Sequence, residues 1–181
     1  MTYMSTTGQT NFHELQPLFD ETMSLLRSLV SSFNEEDLNT VPFEGSWTAG
    51  QVTEHLIKSY EGMARSLGIK GASASRDPEQ RVPELKAVFL DFTKKFTSSA
   101  FILPVQESYE KKALVAALDR SISHFREAAH AADPAEVVTG LPTGEITKVE
   151  IFHLVIYHTQ RHIHQLKNIY QRLQEQYDQP A

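Results

Sequence analysis

Apolar side chains recur at three- and four-residue steps in four stretches of the sequence. The stretches cover residues 12–33, 48–67, 108–132 and 147–175. This spacing places the apolar side chains on one face of an α-helix, so each stretch predicts an amphipathic helix. The alternation that is typical of strands is scarce. The pattern therefore predicts an all-α protein with four long helices.

The connection between the second and third helices is less regular than the rest of the chain. Pro78, Pro83 and Pro104 interrupt it, and periodicity leaves open whether residues 85–96 are a short helix or an extended piece. A connection over residues 69–106 is long for a compact domain. It fits a crossover between two parallel helices of a bundle better than a hairpin loop. We expect a single four-helix bundle domain over residues 1–181.

Local signals mark where the helices begin. Ser46 or Thr48 can cap the second helix, because a hydroxyl accepts from the free N–H groups of the first turn. Thr147 followed by Glu150 is a capping-box pattern for the fourth helix. The helix starts are therefore predicted more sharply than the connections.

The amino-acid composition excludes several classes of function. The chain has 181 residues with 17 Lys and Arg against 23 Asp and Glu, and the net charge of −6 argues against a nucleic-acid surface. The sequence contains no apolar run of about 18 residues, so no membrane-spanning helix is predicted. Residues 1–12 do not resemble a signal peptide, and we therefore expect a cytoplasmic protein. The absence of cysteine excludes disulfides, thiol nucleophiles and cysteine-based metal sites.

The sequence contains eight histidines, and two of them share one face of the fourth helix. His158 and His162 lie about 40° apart in the middle of its apolar stripe, one turn apart, so both imidazoles can reach one metal ion. The alternative is a pair of core histidines with hydrogen-bonded nitrogens. His153 and His164 fall on the opposite face, which we expect to be exposed to solvent.

The second helix offers a third imidazole. His55 lies at the edge of its apolar stripe beside Ser59, Gly62 and Ser66, whose small side chains leave space. Three neutral nitrogen ligands suit zinc, nickel, iron or copper. They would leave one coordination position open for water or a substrate thiolate, as in catalytic centres. The alternative is a boundary histidine of an ordinary amphipathic helix.

Other side chains near these histidines are candidates for supporting roles. Glu54 is expected to face solvent, with a role as a base as the alternative. Arg161 could bind an anionic substrate or pair with a surface carboxylate, and Gln165 could orient a ligand or contact a bound molecule. Trp47 is expected to be a packing anchor at the start of the second helix.

Two segments carry a resemblance to a known family. Residues 47–56 read WTAGQVTEHL and residues 158–166 read HTQRHIHQL, and both resemble signatures of the DinB/YfiT-like superfamily at the expected places in the chain. The resemblance implies a four-helix bundle in up-down-down-up order. It also implies a divalent metal, usually zinc or nickel and sometimes iron, held by His55, His158 and His162. Homodimers are frequent in that family.

Three hypotheses for function follow from the residues and the resemblance. The leading one is a metal-dependent transferase of low-molecular-weight thiols such as bacillithiol or mycothiol, acting on a small-molecule substrate. The second is a metal-dependent hydrolase that uses activated water. The third is a non-catalytic bundle that binds a metal or a small molecule. Because the chain has no cysteine, any thiol must arrive as a cofactor.

Overall fold

The protein is described by a computed structural model over residues 12–141 and 143–177. The remaining residues of the predicted 1–181 domain, with most of the N-terminal segment in which no signal peptide is expected, lie outside this description. A 3₁₀ turn over Ala100–Ile102 lies between the fourth and fifth helices. In chain order the other elements are α1 (Phe12–Ser32), α2 (Glu35–Asn39), α3 (Ala49–Leu67), α4 (Val82–Phe89), α5 (Lys111–His130), β1 (Val137–Leu141), β2 (Gly144–Thr147) and α6 (Lys148–Tyr177).

The second and third long helices, α3 and α5, run parallel. Near the start of both, Gly50 lies directly against the ring of Tyr109. Three turns further along, the Nδ1 atom of His124 lies 2.8 Å from a carboxylate oxygen of Glu61. A parallel pair requires a long connection, which explains the crossover over residues 69–106.

The first and last long helices, α1 and α6, also run parallel. Their rings meet at both ends, with centroid distances of 5.3 Å between Phe12 and Phe152 and 5.3 Å between Phe33 and Tyr170. Ion pairs between α1 and α5 run in the opposite sense. The bundle therefore has the up-down-down-up order that the resemblance implies. The antiparallel pairs are Arg27 with Asp119 and Asp20 with Arg126.

Aromatic side chains fill the centre of the bundle. Phe19, Phe125 and Phe152 are fully buried and lie within 5.1–5.7 Å of one another by ring centroid. They come from three different helices, so the apolar stripes predicted from the sequence meet here. Burial of such large side chains is the main stabilising contribution in a fold of this kind.

Both predicted helix caps are confirmed. The Thr48 hydroxyl accepts from Gln51 N–H at 3.1 Å, and the Gln51 side chain accepts from Thr48 N–H at 3.0 Å. Thr147 and Glu150 exchange the same two bonds at 2.9 and 3.2 Å. Ser46, the alternative cap for α3, instead donates to the carbonyl of Trp47.

Two connections contain structure that the sequence pattern did not predict. The five-residue α2 lies in the loop expected after α1, and β1 and β2 form an antiparallel hairpin before α6. The strands have only five and four residues, and Gly140 and Gly144 adopt positive φ values of 81° and 78°. Such short strands, interrupted by glycines in a conformation that favours glycine, give too few positions for alternation to be recognised.

The first half of the crossover packs on the N-terminal half of α6. This contact buries His153, which we expected on an exposed face, and that prediction is wrong. The side chain is only 7% exposed, and its Nε2 atom lies 3.0 Å from Glu79 of the crossover. Helical geometry puts His153 on the face of α6 opposite His158, but the crossover covers this face.

Candidate metal centre

Three histidine side chains converge between α3 and α6. The Nε2 atom of His158 lies 3.1 Å from that of His55 and 3.0 Å from that of His162. All three ligand atoms lie within 4.8 Å of one another. His55 and His162 are buried and His158 is half-buried. The structure thus brings together the three residues singled out from the sequence.

Hydrogen bonds on the outer side of two rings fix how their nitrogens are protonated. The Nδ1 atom of His55 lies 3.0 Å from the carbonyl oxygen of Ile102, and that of His162 lies 2.8 Å from Oε1 of Gln165. A carbonyl oxygen can only accept, so each Nδ1 carries the hydrogen. The Nε2 atoms of both rings therefore present lone pairs to the centre.

These lone pairs are not fully satisfied by the protein itself. The His158 Nε2 atom faces both other Nε2 atoms, and one N–H there can donate to only one of them. At least one of these lone pairs is therefore left without a donor in a buried place. A divalent transition metal bound by the three nitrogens would relieve this arrangement, since neutral imidazole nitrogens suit such an ion.

The surroundings keep these imidazoles neutral. Burial lowers the pKa of His55, and nearby Lys58 lowers it further against the opposing hydrogen bond to Ile102. Burial, followed by the neighbouring imidazoles and Arg161, places the pKa of His158 well below 6.5. Burial, with smaller effects of His55 and Arg161, lowers the pKa of His162 to about 3 against the opposing hydrogen bond to Gln165. Metal binding at neutral pH therefore displaces few protons from the ligands.

Aromatic rings flank the centre on two sides. Trp47 lies 5.3 Å from the His55 ring by centroid, and Phe89 meets the edge of His158 at 5.9 Å. Trp47 is partly buried against the core, as expected for a packing anchor. These rings replace water around the imidazoles, which strengthens electrostatic interactions inside the site.

Glu54 is buried and does not face solvent, so the prediction of a solvated side chain is wrong. Its Oε2 atom accepts from the Tyr109 hydroxyl at 2.5 Å and from the N–H groups of Val105 and Gln106 at 3.0 and 3.3 Å. Lys58 pairs with its other oxygen at 2.9 Å. Burial raises the pKa of Glu54, but these donors outweigh it and the pKa is lowered.

The Arg161 side chain holds the crossover rather than a surface carboxylate. Its Nη1 atom donates to the carbonyls of Asp91 at 2.9 Å and Phe89 at 3.3 Å, and its Nη2 atom donates to the carbonyl of Lys94. The guanidinium remains close enough to the centre to lower the pKa of both α6 histidines. Arg161 therefore joins the crossover to the helix that carries two of the three imidazoles.

Two features of the site had no signal in the sequence. The Ile102 contact uses a main-chain carbonyl, which every residue possesses. Phe89 ends a short helix in the segment that periodicity left undecided. By contrast, His164 is exposed as predicted and stacks on Phe92 at 4.2 Å.

A model of the DinB superfamily matches residues 18–166. The chain belongs to this superfamily. Among solved structures, the chain is similar to TT2238, described as a four-helix bundle protein, at 19% identity and a TM-score of 0.57, covering 87% of this chain and 99% of that one. It is also similar to YfiT from Bacillus subtilis, described as a probable metal-dependent hydrolase with an unusual four-helix bundle topology.

The likeness to YfiT has a TM-score of 0.58 at 15% identity and covers 96% of this chain and 93% of that one. At such identities the two likenesses establish the bundle fold alone. No curated protein matches the sequence. In the described part of the chain, no helix is both long and apolar enough to cross a membrane.

Proposed function

We propose that His55, His158 and His162 bind one divalent metal ion and that this centre transfers a low-molecular-weight thiol to an electrophilic small molecule. Zinc and nickel are the foremost candidates, followed by iron. The observation that carries the proposal is the convergence of three neutral imidazole nitrogens. The Nε2 atom of His158 lies 3.0–3.1 Å from the other two, all three lie within 4.8 Å of one another, and no carboxylate joins the group within residues 12–141 and 143–177.

The charge of this ligand set favours an anionic fourth ligand. Three neutral nitrogens leave the charge of a divalent ion uncompensated, so a thiolate is a better partner than a neutral molecule. A metal held by His55, His158 and His162 would supply Lewis acidity, which would lower the pKa of a thiol bound to it. A thiol needs no separate base under these conditions, which agrees with the saturated hydrogen bonding of Glu54.

The protein's own groups contribute orientation and the exclusion of water. Ile102 and Gln165 hold hydrogens on the outer nitrogens of His55 and His162, so the inner nitrogens stay directed at the centre. In the transfer, the thiol sulfur forms a bond to the electrophilic carbon, and the bond from that carbon to its leaving group breaks. The leaving group takes the electron pair, and the thiol proton passes to solvent.

A hydrolase is the second candidate, supported by the description of YfiT. Hydrolysis of an amide also needs a group that protonates the leaving nitrogen. Glu54 is the carboxylate adjacent to His55 in the sequence. It already accepts hydrogen bonds from Tyr109 and two backbone N–H groups and pairs with Lys58. Glu54 is thus not free to protonate the leaving nitrogen of an amide, whereas thiol transfer does not need such a group.

The assay compares turnover with and without thiol. Untagged, metal-loaded protein is incubated with an alkyl halide and bacillithiol or mycothiol, and separately with a panel of esters and amides without thiol. We expect thiol consumption by the wild type and by His164→Ala, an exposed histidine of the same helix, and at least a hundredfold slower turnover by His158→Ala. Ester or amide turnover that does not depend on added thiol would support the hydrolase instead.

The proposal extends to a cytoplasmic homodimer. Light scattering of the untagged protein tests the dimer, and a mass of one chain at micromolar concentration would contradict it. Absence of turnover in all arms would favour the non-catalytic bundle. If zinc and nickel then also gave no thermal stabilisation, only its small-molecule form would remain, since a ligand that binds only the native state must stabilise it.

A further inference from the structure

Exposed large apolar side chains are concentrated on the second half of the crossover. Side chains of this kind cluster between residues 92 and 105, whereas the rest of the described chain shows them singly or in pairs. The five side chains of this kind are neighbours in sequence, and an exposed apolar side chain that is also continuous with a site indicates a ligand groove or an interaction surface. We call this cluster the crossover patch, and its members are Phe92 (45% exposed), Phe96 (50%), Phe101 (67%), Leu103 (38%) and Val105 (76%).

One member of the crossover patch is continuous with the three-histidine centre. The Phe96 ring stacks on Phe89 with centroids 5.9 Å apart and an angle of 20° between the planes. Phe89 in turn meets the edge of His158 at 5.9 Å and 90°. The rings of Phe96, Phe89 and His158 thus form an unbroken aromatic row from a half-exposed surface to the centre.

Arg161 fixes this row in place. Its guanidinium lies 4.6 Å from the centroid of the Phe96 ring and donates to carbonyls at three points of the chain between Phe89 and Lys94. Because the Phe96 side chain is already held in place, it loses little conformational entropy when the ring of a ligand packs on it. Phe92 differs, because its ring already stacks on His164.

We propose that Phe96 and Phe89 bind a planar apolar group, such as an aryl ring, of the electrophilic substrate. The inference rests on the proposed thiol transfer and specifies its substrate class. Phe89 meets the edge of His158, so an aryl group that contacts Phe89 is held beside one of the three imidazoles. A second copy of the chain could also cover exposed apolar side chains, but the continuity of the row with His158 favours the substrate.

The first experiment measures preference between two electrophiles of similar intrinsic reactivity, benzyl bromide and allyl bromide. Each enzymatic rate is divided by the rate of the uncatalysed reaction with the same thiol. We expect the wild type to prefer the benzyl compound and Phe96→Ala to lose about three- to tenfold of this preference, the usual contribution of one aromatic pair. Phe43→Ala, an equally exposed phenylalanine outside the crossover, should retain it.

The second experiment measures binding without turnover. The neutral dye N-phenyl-1-naphthylamine accepts excitation energy from Trp47, the single tryptophan of the chain, which lies beside His55. We expect the Kd of the dye to rise about three- to tenfold in Phe96→Ala and to stay unchanged in Phe43→Ala. This readout separates the two proposals, since it requires no thiol transfer.

Three outcomes would overturn the inference. The first is an unchanged benzyl preference in Phe96→Ala while thiol transfer itself proceeds. The second is dye binding that is the same in Phe96→Ala and in the wild type. The third is a change in oligomeric mass on Phe96→Ala that accounts for both effects, which would assign the crossover patch to a second copy. Dye binding that depends on Phe96 without any thiol transfer would contradict the proposed function alone.

Discussion

Replacing Glu150 with Gln removes the charge that joins the crossover to the start of α6. The carboxylate is fully buried and accepts two bonds from the Arg76 guanidinium at 2.7 Å each. It also accepts from the N–H groups of Arg81 at 2.7 Å and Thr147 at 2.9 Å. In Glu150→Gln an amide NH₂ must face these donors, so at least one bond becomes a contact between two donors.

The size of the loss follows from this burial. Breaking a buried charge pair by changing one partner costs about 3–5 kcal/mol. The Arg76 side chain is 21% exposed and can recover some hydration, so we expect the lower end, about 3 kcal/mol. For a domain of this length each kcal/mol lowers Tm by about 2–4 °C, which gives a fall of about 6–12 °C.

Urea unfolding followed by circular dichroism measures the free energy of unfolding directly. The matched control is Asp119→Asn, which breaks an exposed ion pair with Arg27. The Arg27 side chain is 56% exposed and that of Asp119 is 40% exposed. We expect this control to cost less than about 1 kcal/mol. A loss below about 1 kcal/mol in Glu150→Gln would refute the reasoning that the buried pair stabilises the docked crossover.

The pH dependence of the same variant has a definite sign. Burial raises the pKa of Glu150, but the bonds from Arg76 and from the Thr147 and Arg81 N–H groups outweigh it, so the pKa lies below 4.5 in the folded protein. The carboxylate therefore contributes stability above pH 4.5 and loses it as the pH falls through the folded pKa. The stabilities of the wild type and Glu150→Gln should converge below pH 4.5.

Two further substitutions test the site and its support. Gly50→Ala places a methyl group in the ring of Tyr109, so we expect a loss of about 1–3 kcal/mol in urea unfolding. Gln165→Leu removes the acceptor that holds the hydrogen on Nδ1 of His162. We expect about 10–100-fold weaker zinc binding, measured by competition with a chelating dye, with little change in unfolding of the metal-free protein.

Each of these substitutions has a control within the same helix. Gly62 of α3 has space for a Cβ atom, so Gly62→Ala should stabilise the protein by about 0.5–1 kcal/mol. Gln171 of α6 is exposed, and Gln171→Leu should leave zinc affinity unchanged. Equal effects of the two glycine substitutions, or zinc affinity that is the same in Gln165→Leu and the wild type, would contradict the respective explanation.

The four long helices and their caps were predictable because their signals are local. A helix repeats every 3.6 residues, and a cap such as Thr48 with Gln51 depends on side chains three residues apart. The same local geometry placed His158 and His162 on one face. That His55 meets them was implied by the resemblance and by the way bundles hold metals, since no local pattern joins α3 to α6.

The errors have a common cause in long-range packing. His153 and Glu54 were expected in solvent because a helical angle says nothing about what covers each face. Glu79 of the crossover contacts His153, and Tyr109, just after the crossover, contacts Glu54, across separations of 74 and 55 residues. The Ile102 carbonyl is positioned by the docking of the crossover, and a main-chain group leaves no trace in sequence composition.

The central claim is that His55, His158 and His162 bind one metal ion. Elemental analysis of the untagged protein by plasma mass spectrometry, after incubation with zinc and removal of excess, measures metal per chain. We predict one equivalent for the wild type and for His164→Ala, and a loss of at least nine-tenths of it in each of His55→Ala, His158→Ala and His162→Ala. Full stoichiometry in all three of these variants would contradict the claim.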